Sequence, residues 1–209
     1  MDNKSTLTPE AILTAYSNGA FPMAESKNHR DILWISPDIR GVIPLEKFHI
    51  SRSLRRLILR NNYQITVNKD FVSVINSCAS RSETWINPSI RDCYIELWRK
   101  GYCHSIEVWD CNEIIGGIYG LALKKAFFGE SMFSTKSNGS KIALAYLVSR
   151  LKFGGFILFD TQFLTSHLES LGGIEISSTN YQKLLLASLE GEANFLRQPK
   201  QVCPVQVCT

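Results

Sequence analysis

Phe127-Phe128-Gly129-Glu130-Ser131-Met132-Phe133-Ser134, and after it Phe156-Ile157-Leu158-Phe159-Asp160-Thr161-Gln162, decide how this chain is read. Each stretch holds an apolar run of strand length that ends in polar groups. A carboxylate at the end of a buried strand is costly unless it is paired or used. Glu130, Asp160 and Gln162 therefore point to a pocket with an apolar wall and a polar floor. Between the two strands, Ser140 to Phe153 carries Ala143, Leu144, Leu147 and Leu151 at helical spacing and stops at Gly154-Gly155. The Ser/Asn/Gly-rich turn from Ser134 to Ser140 opens that helix and presents backbone N–H groups to an anionic or carbonyl-bearing ligand.

Upstream, Ser105–Trp109, Ile114–Leu123 and Ala126–Glu130 are separated by Asp110-Cys111-Asn112 and Lys124-Lys125, which reads as an antiparallel meander. Downstream, Thr165–Leu171 and Asn180–Leu189 are helical and Ile174–Ile176 is a strand. Toward the N-terminus, Thr8-Pro9-Glu10 starts a helix that buries Ile12, Leu13 and Tyr16 and ends at Gly19. Trp34 to Pro44 is crowded with turn residues and predicts an extended, irregular path. Ser51 caps a helix to about Arg60, Tyr63–Val67 alternates as a strand, and Phe71–Cys78 and Pro88–Lys100 are helices. In the last of these, Ile90, Tyr94, Leu97 and Trp98 share one face. Helices, then a meander, then alternating helix and strand predict an α/β domain of the α+β kind with a mixed sheet. The tail from Gln198 is expected outside the core.

The chain has 209 residues, enough for one substantial domain with a small appendage. No stretch approaches the roughly 20 apolar residues that span a bilayer, and Met1 to Thr8 lacks the pattern of a signal peptide. The expectation is a cytoplasmic protein. The six cysteines are scattered with no Cys-x-x-Cys, and the four histidines stand apart from them. Reduced thiols and no metal site are expected. Net charge is only +4, but Lys47, Arg52, Arg55, Arg56 and Arg60 cluster with Glu46 as the sole opposing acid. That segment reads either as a solvated helix face or as a footprint for a phosphate backbone.

A series of collinear segments then becomes recognisable. Gly19-Ala20-Phe21-Pro22-Met23 is followed by Trp34-Ile35-Ser36-Pro37-Asp38 with Arg40-Gly41, by Phe48-His49-Ile50-Ser51-Arg52-Ser53-Leu54 and by Thr84-Trp85-Ile86-Asn87-Pro88. His104 to Trp109, Gly116 to Gly120, Gly129 to Ser134, Ser140-Lys141, Asp160-Thr161-Gln162, His167-Leu168 and Leu171-Gly172 complete it. Together they resemble the leucyl/phenylalanyl-tRNA–protein transferase family, from about Thr8 to about Leu189. Three places depart from the family pattern. Ser177-Ser178 replaces a frequent Pro-Arg, Thr161 stands where many relatives have Cys, and Met23 stands where some have Trp.

The resemblance implies an N-acetyltransferase-like (GNAT) catalytic domain over residues 37–195, a small N-terminal domain over 1–36 and a tail over 196–209. It implies transfer of Leu, Phe or Met from aminoacyl-tRNA to proteins beginning with Lys or Arg, creating a signal for proteolysis. No cofactor is implied, no membrane, and a monomer is the default. Asp160 and Gln162 are the implied catalytic pair. Two apart in a strand, they are expected to face one side, with Asp160 polarising Gln162. In that version the Gln162 carbonyl receives or guides the amine proton; in the alternative a tRNA ribose hydroxyl carries the proton, and Asp160 and Gln162 only position the substrates. Glu130 is expected to hold the substrate end, and Trp85 to stack on the terminal adenine. Ile118, Phe127, Met132, Leu147 and Phe159 are expected to form the wall that receives the Leu or Phe side chain. Lys47, Arg52, Arg55, Arg56 and Arg60 are expected on tRNA phosphates, with little sequence readout.

Two rival readings share parts of this pattern. An acyl-CoA-dependent N-acetyltransferase has the same fold class, but its pyrophosphate loop is glycine-rich, whereas Ser134 to Ser140 contains only Gly139. An RNA-binding module accounts for the basic helix but leaves Glu130, Asp160 and Gln162 unused. A lipase-type Gly-x-Ser-x-Gly elbow fails because Phe133 stands where glycine is needed.

Overall fold

The computed structural model describes residues 7–199 and 202–208. Local signals start most elements. In α1 (Pro9–Ser17) the Thr8 hydroxyl accepts from the Ala11 N–H at 3.1 Å. A two-stranded antiparallel ribbon of β1 (Phe21–Met23) and β2 (Leu33–Ile35) follows. Then come β3 (Ile39–Val42), α2 (Arg52–Leu59), β4 (Gln64–Val67), α3 (Phe71–Ala79) and α4 (Pro88–Arg99). Ser51, Asp70 and Asn87 cap the three helices with their side chains. The meander is β5 (Cys103–Asp110), β6 (Glu113–Leu123) and β7 (Ala126–Ser134). After it run α5 (Gly139–Gly154), β8 (Leu158–Gln162), α6 (Ser166–Glu169), β9 (Ile174–Ser177), α7 (Ser178–Leu189) and α8 (Pro204–Val207).

Seven strands form one mixed sheet in the order β4-β5-β6-β7-β8-β3-β9. All neighbours are antiparallel except β7 and β8, which α5 connects as a parallel pair. One sheet face is buried by α5 through Ile142, Leu144, Leu147 and Leu151, together with Ile118, Phe127 and Phe159. The opposite face is buried by α1, α3, α4 and α7, through Ile12, Tyr16, Val74, Tyr94 and Tyr181, together with Phe128 and Tyr119. Gly139 lets the start of α5 lie directly on β6: a Cβ there would sit 2.3 Å from the Ile115 carbonyl oxygen.

The fold departs from the sequence expectations at three places. First, Trp34 to Pro44 is not irregular throughout. It contains β3, which runs between β8 and β9, with Arg40 opposite Ile176. Second, β7 does not end at Glu130 but continues to Ser134. Tyr119 pairs with Ser131 and Gly120 with Gly129, so Glu130 is the extra residue of a β-bulge. A bulge turns the extra side chain out of the regular alternation. Third, the tail is not outside the core. The buried Arg150 guanidinium on α5 donates from Nη1 to the carbonyls of Phe195 (3.0 Å) and Gln198 (2.7 Å), and from Nη2 to that of Pro199 (2.7 Å). Val207 of α8 is buried in the same core as α5.

Candidate active site

The parallel register of β7 and β8 runs from Ala126 opposite Leu158 to Phe128 opposite Asp160 and stops there. Beyond that point the two strands part. A cavity of about 220 Å³ opens beside them, lined by Glu130 and Met132 of β7, Ile118 of β6, Leu144 of α5 and Phe159 and Gln162 of β8. Trp85, Met23 and Arg81 complete its rim on the side of the ribbon and α3.

Asp160 does not line this cavity. It is fully buried behind it, opposite Val42 of β3 in register, with its carboxylate against the Arg40 guanidinium. The Arg40 guanidinium donates from Nε to Oδ1 (3.0 Å) and Oδ2 (3.1 Å), and from Nη2 to Oδ2 (2.7 Å). Its Nη1 donates to the Gly19 carbonyl. The guanidinium lies over the rings of Phe21 (4.8 Å) and Tyr181 (4.4 Å), two faces that suit a planar cation. Burial works against this charge, but the hydrogen bonds and charge of Asp160 outweigh it, and the Arg40 pKa moves upward. The Tyr181 hydroxyl also donates to Asp160 Oδ2, at 2.7 Å.

The last donor to Asp160 is the backbone N–H of Gln162, at 2.8 Å to Oδ1. Gln162 has φ 58, the left-handed region, which a non-glycine residue adopts only when its surroundings hold it there. The Asp160 carboxylate supplies that hold. The expected same-side alternation of Asp160 and Gln162 therefore does not occur. Asp160 points to Arg40 and Tyr181, while Gln162 turns into the cavity. Asp160 meets the Gln162 main chain rather than its amide. Gln162 Nε2 is buried without a hydrogen-bond partner among the described residues.

Glu130 lines the same cavity as Gln162 and is held differently. The Tyr16 hydroxyl contacts Glu130 Oε1 at 2.5 Å, the Tyr94 hydroxyl contacts Oε2 at 3.0 Å, and the two hydroxyls lie 2.8 Å apart. Burial pushes the Glu130 carboxyl from 4.5 up to about 8, outweighing the two tyrosine hydrogen bonds that pull it down.

Of the expected wall, Ile118, Met132 and Phe159 line the cavity, as do Trp85, Glu130 and Gln162. Phe127 and Leu147 do not. Phe127 is fully buried beneath the wall, its ring edge-on to Phe156 and Phe159 and stacked on Phe195. Leu147 is in the same core, and Leu144, one turn earlier on α5, takes the wall position. The α5 N-terminus is also outside the cavity, and its Ser140 N–H donates to the Ser134 hydroxyl at 2.7 Å. Lys47, Arg52, Arg55, Arg56 and Arg60 are exposed on a separate surface, where Glu46 pairs with Lys152 instead. Reasoning from the residues left Arg40, Tyr16, Tyr94 and Tyr181 without a role. Their only sequence signals are helical burial for the tyrosines and the Arg40-Gly41 segment.

The sequence model described as leucyl/phenylalanyl-tRNA protein transferase matches residues 42–186, and that of the N-terminal domain of the same family matches residues 5–38. A leucyl/phenylalanyl-tRNA–protein transferase of Ruegeria pomeroyi is 53% identical over 91% of this chain and 90% of its own. One of Roseobacter denitrificans is 53% identical over 92% of each. Among solved structures, a crystal structure of FemX shares the fold at a TM-score of 0.53, with 10% identity over 80% of this chain and 66% of the other. The two matches span the ribbon on the rim and the strands β6, β7 and β8 that build the cavity, and the relatives cover about nine-tenths of the chain at 53% identity, so the chain belongs to the leucyl/phenylalanyl-tRNA protein transferase family.

Proposed function

We propose that the protein transfers a leucyl, phenylalanyl or methionyl group from aminoacyl-tRNA to the α-amino group of proteins that begin with Lys or Arg. It does so in the cytoplasm, as a monomer without a cofactor. The observation that carries this reading is the opening between β7 and β8. There a cavity with apolar walls for an aminoacyl side chain carries two polar groups, Glu130 and Gln162, in its lining. No helix among the described residues is long and apolar enough to cross a membrane. Residues 37–195 form the GNAT-like catalytic body in this reading, with 1–36 as the small N-terminal domain and 196–209 as the tail.

The reaction is aminolysis of an ester. The amine nitrogen attacks the carbonyl carbon, the N–C bond forms, and the ester C–O bond breaks to release the tRNA ribose hydroxyl. The ester is already activated, so the enzyme's main contribution is alignment, which is worth roughly 7–11 kcal/mol in favourable cases. An α-amine has a reference pKa of about 7.7–8.0, so part of it is neutral near pH 7 without a strong base. An amide is not a useful base. Gln162 therefore orients the attacking amine by accepting an N–H, and the proton passes to the departing ribose oxygen. The free Gln162 Nε2 is a donor within the site for the developing oxyanion. Asp160 acts through the Gln162 main chain as a positioning residue, with Arg40 and Tyr181 holding it. Trp85 stacks on the terminal adenine, Glu130 receives the aminoacyl end, and the basic helix α2 with Lys47 meets acceptor-stem phosphates.

The test is a transfer assay with labelled Phe-tRNA or Leu-tRNA and a model protein starting with Lys or Arg, beside an acetyl-CoA arm. The expected result is label on the acceptor N-terminus that ribonuclease abolishes. Transfer from acetyl-CoA alone overturns the reading.

A further inference from the structure

Glu130, Tyr16 and Tyr94 meet as a closed triangle of oxygen contacts, 2.5, 2.8 and 3.0 Å. A hydrogen bond needs one proton per contact. With an ionised carboxylate, the triangle holds only the two hydroxyl protons, so one contact brings two oxygen lone pairs together in a buried site. With the neutral acid, three protons fill three contacts. Glu130 donates to one tyrosine, that tyrosine donates to the other, and the second donates back to the free carboxyl oxygen.

Among the described residues, no cation closes on the triangle from the elements around it. Tyr119 of β6 and Cys103 of β5 are neutral neighbours whose ionisation Glu130 opposes. Asp160 of β8 adds negative charge, and Arg40 of β3 is engaged with Asp160. On the rim, Arg81 donates to the Ser131 hydroxyl and to the carbonyls of Cys78 and Met132.

We propose that Tyr16 and Tyr94 are positioning residues of the transfer reaction: they close a three-membered hydrogen-bond ring on the neutral acid form of Glu130 and fix the carboxyl edge that meets the aminoacyl group. The floor of the cavity is then an uncharged hydrogen-bonding group and not a counter-ion. Ionisation opens the ring and places a bare charge beside an apolar wall, so transfer falls as pH rises through the Glu130 titration. The catalytic consequence rests on the transfer reading above, whereas the protonation state is read without any substrate.

The experiment has two arms. Infrared difference spectra of the free protein at neutral pH, wild type against Glu130→Gln, are expected to show a protonated carboxyl C=O band that belongs to Glu130. In the second arm, transfer is followed across pH. Glu130→Ala is expected to lose transfer about a hundredfold through misplacement of the ester, while Glu130→Gln, whose amide completes the same ring, stays at least about tenfold above it. The alkaline fall is expected to vanish in Glu130→Gln. In Tyr16→Phe it moves to higher pH, because the ionised form loses the stronger of its hydrogen bonds. Absence of the infrared band overturns the neutral ring, and so does Glu130→Gln as inactive as Glu130→Ala in protein that melts like wild type. A tyrosine variant with the wild-type pH profile overturns the positioning role. If the band is present and wild type transfers nothing from tRNA, the transfer reading fails and the ring stands.

Discussion

Asp160 and Glu130 stand on the two strands that part to form the cavity, both buried, and they are satisfied in opposite ways. Asp160 has a cation, bound through two guanidinium nitrogens and flanked by aromatic rings. Glu130 has only hydroxyls. The difference teaches how one site divides its work. The ion pair is a fixed mount that holds Gln162 in an unfavourable backbone conformation. The hydroxyl ring is a polar floor whose charge depends on proton uptake. Breaking the mount is expected to damage the whole fold, and altering the floor is expected to act on chemistry and pH.

The largest effect is expected from Arg40→Met. Removing one partner of a buried ion pair leaves the other uncompensated and destabilises by about 3–5 kcal/mol. Chemical denaturation measures this, and transfer should be lost along with stability. A variant with wild-type stability and activity would mean that Asp160 finds its partner elsewhere. Asp160→Asn also leaves a buried charge unpaired, that of Arg40, and is expected to cost stability as well; with the carboxylate gone, its hold on the Gln162 main chain loosens. A misplacement on the order of 1 Å is worth about 100-fold in rate, so kcat is expected to fall by about that factor with little change in KM. Near-normal transfer would remove Asp160 from the account of alignment.

The floor has its own signature in stability. Glu130 has a folded pKa near 8 against an ordinary 4.5, so the folded state binds the proton more tightly. That stabilisation is complete below about 4.5 and is lost as pH rises toward 8. Relative to Glu130→Gln, wild type is expected to lose stability by at most about 1.4 kcal/mol per pH unit in this window. A flat difference between the two proteins would place the carboxyl in its ordinary range.

These contrasts also separate what was legible in the chain from what was not. Helices α1, α2 and α4 were readable because their start signals are local: Thr8, Ser51 and Asn87 each cap the helix they precede. Glu130 and Gln162 were readable as cavity groups because they interrupt apolar strand runs. Strand β3 was not, since Arg40 and Gly41 stand among turn residues and the partners of the strand lie far along the chain in β8 and β9. The triangle on Glu130 was not readable either. Tyr16 and Tyr94 look like ordinary buried faces of two helices, and a bulge, invisible to alternation, turns Glu130 toward them. The tail escaped for a similar reason. It is held through its carbonyls by Arg150, which leaves no pattern in the side chains of the tail.

The wall and the layer beneath it can be told apart by mutation. Leu144 lines the cavity, whereas Phe127 lies under it. Leu144→Phe narrows the space and is expected to reduce Phe transfer relative to Leu transfer, within the roughly 1–3 kcal/mol that apolar pocket changes provide. Phe127→Leu removes buried volume and is expected to lower stability while leaving the Phe-to-Leu ratio unchanged. Competition between the two charged tRNAs in one assay reads both variants. A selectivity change in Phe127→Leu equal to that in Leu144→Phe would move Phe127 into the wall.

The smallest effect per residue is expected farthest from the reacting atoms. Arg52, Arg55, Arg56 and Arg60 project from α2 while Leu54 and Ile58 anchor it, so their charges are free to meet phosphates without supporting the core. Each contact of this kind contributes through counterion release, which is steep in salt and nearly indifferent to sequence. Arg56→Gln is therefore expected to leave kcat unchanged, raise KM for every charged tRNA alike, and lower the slope of log KM against log salt by about 1. Replacing Arg55 as well should lower the slope again by a similar amount, because neighbouring phosphate contacts add nearly independently. A variant that weakened one tRNA and spared another would make the helix a reader of sequence, and an unchanged salt slope would return it to a solvated surface.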